Sequence, residues 1–77
     1  MAQGAFIFIS VAGNHTRSVH TTIRRMEGVK AVYTVTGAYD IIAQVEAESV
    51  QSLSELILAK IRVIDGVTQT VTCLVLN

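Results

Sequence analysis

Two successive strand–helix–strand units, each containing the same four-residue joint, predict an α+β sandwich in the order βαββαβ. Three observations carry this. Four short runs are rich in β-branched and aromatic residues. Between them lie two stretches in which apolar residues recur every three or four positions. Met26-Glu27-Gly28-Val29 is answered by Ile64-Asp65-Gly66-Val67: in both, an apolar residue and an acid precede a helix-stopping glycine and a strand-opening valine. Right-handed crossovers that each skip one strand position interlock the two halves. The result is a four-stranded antiparallel sheet of order 4-1-3-2 with two helices on one face, the ferredoxin-like arrangement.

Residues 5–11 form the first strand, closed by Gly13-Asn14. Asn14 or Thr16 caps the first helix, along which Val19, Ile23 and Met26 share a face, and Gly28 ends it. Residues 29–36 make the second strand, Thr36-Gly37-Ala38 the turn, and residues 39–45 the third strand. Glu48 or Ser49 opens the second helix, where Val50, Leu53, Ile57, Ile61 and Ile64 fall within about 60° of one line. Gly66 stops it, and residues 67–76 form the last strand. A β-bulge near the Gly37 hairpin would change which residues share a face.

With both helices on one side, the other side of the sheet is bare. The first strand sets Ile7, Ile9 and Val11 against Phe6 and Phe8. The third sets Ile41, Ala43 and Val45 against Ile42, Gln44 and Glu46, and the fourth sets Val71, Cys73 and Val75 against Leu74, Leu76 and threonines. Whichever set meets the helices, several large apolar groups remain outside. Leu56 and Val63 add a second apolar line on helix two, roughly 120–140° from its core stripe, readable as a widened core face or as a further contact. Exposed apolar patches of this extent mark partner surfaces. The expected interface residues are Phe6, Phe8, Ile42, Leu74, Leu76, Leu56 and Val63.

Composition agrees. The 77 residues make one domain, 1–77, with 51% hydrophobic and 16% charged residues, too apolar for disorder and too small to hide that surface inside itself. The longest early apolar run, Ala5 to Ile9, is too short for a signal peptide or a membrane span, so a cytoplasmic protein is expected. Zero net charge argues against nucleic acid as main partner. Charge is uneven, however. Residues 1–40 hold Arg17, Arg24, Arg25 and Lys30 against Glu27 and Asp40, while residues 41–77 hold Lys60 and Arg62 against Glu46, Glu48, Glu55 and Asp65.

One stretch is specific. Gly28-Val29-x-x-Val32-x-x-Val35-Thr36-Gly37-x-Tyr39-Asp40-Ile41-Ile42, followed by an acidic-apolar helix and Ile64-x-Gly66-Val67-x-x-x-x-Thr72, resembles the ligand-binding domain of the Lrp/AsnC (feast/famine) regulators. That module is also called the RAM domain, for regulation of amino acid metabolism. The resemblance implies a homodimer formed through open sheet faces, and further association into rings of eight or ten subunits. It also implies an amino-acid-like effector at contacts between dimers, near the hairpin, and a role linked to transcriptional regulation. Full-length members carry an N-terminal helix-turn-helix, for which the four residues before the first strand leave no room. A stand-alone version acting with a full-length Lrp/AsnC regulator is therefore expected. Neither nucleic acid nor a membrane is expected as a direct partner.

The candidate ligand residues are Gly37, Tyr39, Asp40, Thr70 and Thr72. Gly37 allows a turn that a side chain resists. Asp40 offers a carboxylate to an α-ammonium group or, alternatively, to the turn's own backbone. Thr70 and Thr72 offer hydroxyls or simply strand propensity. No catalytic set, cofactor motif or metal-ligand spacing is present. His15 and His20 stand about 140° apart around helix one and read as solvated; Cys73, beside Leu74 and Val75, reads as a buried small hydrophobe. An ACT-like regulatory module and a small ferredoxin-like dimeric enzyme are the alternatives, and the Val-Thr-Gly-x-Tyr-Asp hairpin favours the Lrp/AsnC reading.

Overall fold

The computed structural model describes residues 2–77, the side chain of Leu56 excepted. Its elements are β1 (Gln3–Val11), α1 (Thr16–Arg24), β2 (Val29–Thr34), β3 (Ile41–Ala47), α2 (Val50–Leu53), a π-helical turn (Ser54–Leu58), α3 (Ala59–Arg62) and β4 (Val67–Leu74). The sheet order is β2-β3-β1-β4, the predicted topology, and every neighbouring pair is antiparallel. Both repeated joints are built alike. Met26 N–H donates to Ile23 O and Val29 N–H to Met26 O; Ile64 N–H donates to Ile61 O and Val67 N–H to Ile64 O. Met26, Val29, Ile64 and Val67 all pack against the core.

That core lies between sheet and helices. Ala5, Ile7 and Ile9 of β1 and Ile41, Ala43 and Val45 of β3 are buried against Val19 and Ile23 of α1 and Leu53, Ile57 and Ile61 of the second helical segment. Those last three are spaced by four. In unbroken α-geometry each such step rotates about 40°, so the two steps carry the row about 80° around the helix and off the sheet. The wider π turn between Leu53 and Ala59 absorbs that drift and holds the row against the sheet. Val50, expected on the same stripe, is instead half-exposed at the start of the segment.

Local boundaries differ from expectation where side chains find long-range partners. β2 stops at Thr34 and β3 begins at Ile41, because residues 35–40 form the hairpin, closed by Val35 N–H to Asp40 O at 2.9 Å. Ser49 caps α2 as expected, its hydroxyl accepting from Ser52 N–H at 3.1 Å. The residue before α1 is His15, not Asn14 or Thr16, and its side chain makes no capping bond. The His15 imidazole is committed elsewhere: it packs over Gly66, while Ala12 N–H donates to Gly66 O at 2.8 Å. This clasp joins the entrance of α1 to the entrance of β4. The irregularities fall at Val29–Ala31 and Ser10–Val11 rather than at the hairpin.

Gly66 and Gly37 both have positive φ, 101° and 120°. A Cβ at Gly66 would stand 2.5 Å from the His15 Cβ, whereas one at Gly37 meets nothing within 4 Å. The backbone penalty for alanine is shared, at about 1–2 kcal/mol. Gly66→Ala is therefore expected to destabilise the fold by at least about 1 kcal/mol more than Gly37→Ala, through forced overpacking. Thermal denaturation of the two variants measures the difference.

Candidate functional site

The side of the sheet away from the helices carries two largely apolar rows. Cross-strand pairing sets Tyr33, Ile42, Phe8 and Val71 in one line across all four strands, and Ala31, Gln44, Phe6 and Cys73 in the next. Phe6 is 38% and Tyr33 56% exposed, while Phe8, Ile42 and Val71 are half-buried by one another. Phe6, Phe8 and Ile42 thus stand together as expected. Leu74 does not join them. It pairs with Ala5, so it belongs to the helix side of the sheet, at its edge. Leu76 lies beyond β4 and Val63 at the end of α3, both largely exposed and away from the two rows. The contact expected at Leu56 falls outside the described residues.

Tyr33, Val71 and Cys73 were missed as members of this face. Alternation along β4 separated its two sets; only the pairing of Phe6 with Cys73 says which set faces out. Cys73 is accordingly exposed beside an aromatic ring rather than buried.

The hairpin leans on the same face. The Tyr39 and Phe8 ring centroids are 5.3 Å apart with planes tilted by 50°, a tilted aromatic pair at ordinary contact distance. Asp40 fastens the hairpin to the end of β1: its N–H donates to Ile9 O at 3.0 Å, and its Oδ2 accepts from Val11 N–H at 2.8 Å. One carboxylate oxygen is therefore a backbone partner, the turn-type reading of this residue carried across 29 positions of chain. Gly37 is exposed at the hairpin. Thr70 and Thr72 pair with Ile9 and Ile7, which puts them on the helix side, apart from Tyr39. Thr70 lines a separate cavity of about 280 Å³ with Arg62, Val67, Thr68 and Gln69.

The two histidines are half-buried rather than solvated. His15 lies on Gly66, and His20 Nδ1 stands 2.9 Å from Thr34 Oγ1. Among the described residues no group of three His, Cys, Asp or Glu side chains is arranged to hold a metal, and no helix is long and apolar enough to cross a membrane.

The profile of the Lrp/AsnC ligand binding domain matches residues 4–77. The chain belongs to this family. It is 37% identical over 71 residues to an HTH-type transcriptional regulator of Pyrococcus horikoshii, covering 88% of this chain and 47% of that one. It is 40% identical over 63 residues to a homocitrate synthase of Sulfolobus acidocaldarius, covering 82% of this chain but only 13% of the enzyme. The structure of E. coli AsnC superposes with a TM-score of 0.89 at 29% identity, over 97% of this chain and 51% of AsnC. The chain thus spans less than half the length of these two curated relatives. The ferredoxin-like α+β fold is that of the Lrp/AsnC domain, which HTH-type transcriptional regulators share. The homocitrate synthase match is confined to a small part of that enzyme.

The Asp40 contact has a measurable weight. A hydrogen bond to an ionised group contributes about 1.5–3 kcal/mol. Asp40→Ala, which leaves Val11 N–H without this acceptor, is expected to lower stability by about that amount, and Asp40→Asn, which keeps an oxygen in place, by less. Urea denaturation of the two variants gives the comparison.

Proposed function

We propose that this Lrp/AsnC domain is a non-catalytic regulatory module that pairs through its open sheet face and receives a small, amino-acid-like effector beside the Gly37 hairpin. The Tyr39–Phe8 contact carries this reading. It makes the hairpin and the assembly face one packed unit, so a ligand that moves Tyr39 alters the surface presented to a partner. Pairing covers Phe6, Phe8, Tyr33, Ile42 and Val71, a concentration of apolar area that a lone subunit leaves in water. Val63 and Leu76, exposed elsewhere, supply contacts for further association of dimers into rings of eight or ten subunits.

At the effector site Gly37 gives room, Tyr39 packs against the ligand, and the second oxygen of Asp40 accepts from its ammonium group. Thr70 and Thr72, on the other side of the sheet, enter the site only from a neighbouring copy. An effector shifts assembly only if its affinity differs between the paired and unpaired states. A tenfold preference amounts to about 1.4 kcal/mol per site, and several sites in one assembly add. The regulated partner is then a full-length Lrp/AsnC regulator that shares the same pairing face, in the control of amino acid metabolism.

Light scattering with chromatography, with and without each of the common amino acids at millimolar concentration, tests the reading. Tyr33→Glu, at the rim of the face, is expected to give a folded monomer, and Phe8→Glu a monomer that is also less stable. Calorimetry is expected to find an amino acid whose binding is weakened by Gly37→Val and Tyr39→Ala. A wild-type protein that is monomeric, or a ligand bound equally by both hairpin variants, overturns it.

A further inference from the structure

The outer face of α1 carries charge that the fold does not use. At 3.6 residues per turn, positions 17, 20, 21 and 24 fall within about 100° of one another, away from the buried Val19 and Ile23. They line a shallow recess of about 510 Å³, formed by Thr16, Arg17, His20, Thr21 and Arg24 of α1 and Thr34 of the edge strand β2. No carboxylate lines it. The one ion pair among the described residues is Lys30–Glu46, at 3.7 Å. Arg17 is placed against local electrostatics: it stands in the first turn of a helix with no acid there, where the helix dipole repels a cation. Arg17, His20 and Arg24 also repel one another at three- and four-residue spacing whenever His20 is charged. Arg24, in the last turn, is favoured by the same dipole, but Arg17 is not, and its placement in a chain with no net charge is a local conflict of the kind that marks function.

The recess is also partly organised. Thr34 Oγ1 holds His20 Nδ1 at 2.9 Å, which steadies the ring and leaves Nε2 without a partner among the described residues. Arginine forks match phosphate oxygens in pairs, and imidazole and hydroxyl groups complete such sites. The α-carbons of Arg17 and Arg24 are separated by about 10 Å along the helix, so their long side chains converge on linked phosphates more readily than on one.

We propose that this face of α1 binds phosphate groups: Arg17, His20 and Arg24 receive a di- or polyphosphate, with Thr16, Thr21 and Thr34 around it. The same chemistry is presented by a phosphorylated metabolite and by a nucleic-acid backbone.

Pyrophosphate is the probe, titrated by calorimetry and by backbone amide shifts, with a short DNA duplex followed by fluorescence anisotropy. Saturable pyrophosphate binding is expected, with shifts centred on residues 16–24 and Thr34. R17Q/R24Q is expected to weaken it at least about tenfold, with Arg24→Gln alone intermediate, while Arg62→Gln, a cation on another surface, has no effect. Without ligand, Arg17→Gln is expected to keep or raise the thermal stability, as a purely structural arginine would not. A duplex bound with the same arginine dependence and displaced by pyrophosphate identifies the nucleic-acid source; pyrophosphate binding without duplex binding identifies the free metabolite. Saturable binding of neither probe, or Arg62→Gln as damaging as R17Q/R24Q, overturns the proposal.

Discussion

The central strand β1 alternates isoleucine and phenylalanine, and the rest of the structure depends on that alternation. Ile7 and Ile9 are fully buried under the helices while Phe6 and Phe8 stand on the opposite face. A one-residue slip against either neighbour would exchange the two sets, placing the rings in the core and the isoleucines in water. Because β1 pairs with both β3 and β4, its register decides which of their residues point inward. The core and the open face are the two sides of one decision.

From that strand the remaining contacts are held at its C-terminal end. Val11 N–H meets the Asp40 carboxylate, Ile9 O meets Asp40 N–H, and Ala12 N–H meets Gly66 O. The hairpin and the loop into β4 are therefore both anchored by the last residues of β1 and those just after it. This accounts for the hairpin's lean over Phe8, and for a shared packing unit between the position of a proposed effector and the proposed pairing surface. The π turn serves the same layer from the other side, keeping Leu53, Ile57 and Ile61 over the sheet that β1 organises.

The surfaces divide the labour. The open face, where pairing is proposed, is largely apolar and aromatic, whereas the outer face of α1 is polar and cationic. Most of the acidic residues belong to the second half of the chain. Membership in the Lrp/AsnC family covers nearly all of the chain, yet the family resemblance says nothing of Arg17 or Arg24. Their meaning rests on local physics: uncompensated charge, one of the arginines set against a helix dipole.

Local periodicity and the repeated joint were enough to determine the order of elements, the strand order, most of the helical residues that meet the core and the position of the Gly37 hairpin. Each of these is encoded within a window of a few residues, where apolar spacing and a helix-stopping glycine act directly on the backbone. Tertiary structure alone decided which face of β4 is open, exposing Cys73 and turning Leu74 toward the helix side. It alone gave Asp40 to Val11, Tyr39 to Phe8, His15 to Gly66 and His20 to Thr34. Those pairs join residues 14 to 51 positions apart in sequence. Their geometry follows from strand register and from joint packing of both repeats, which no single stretch of the chain contains.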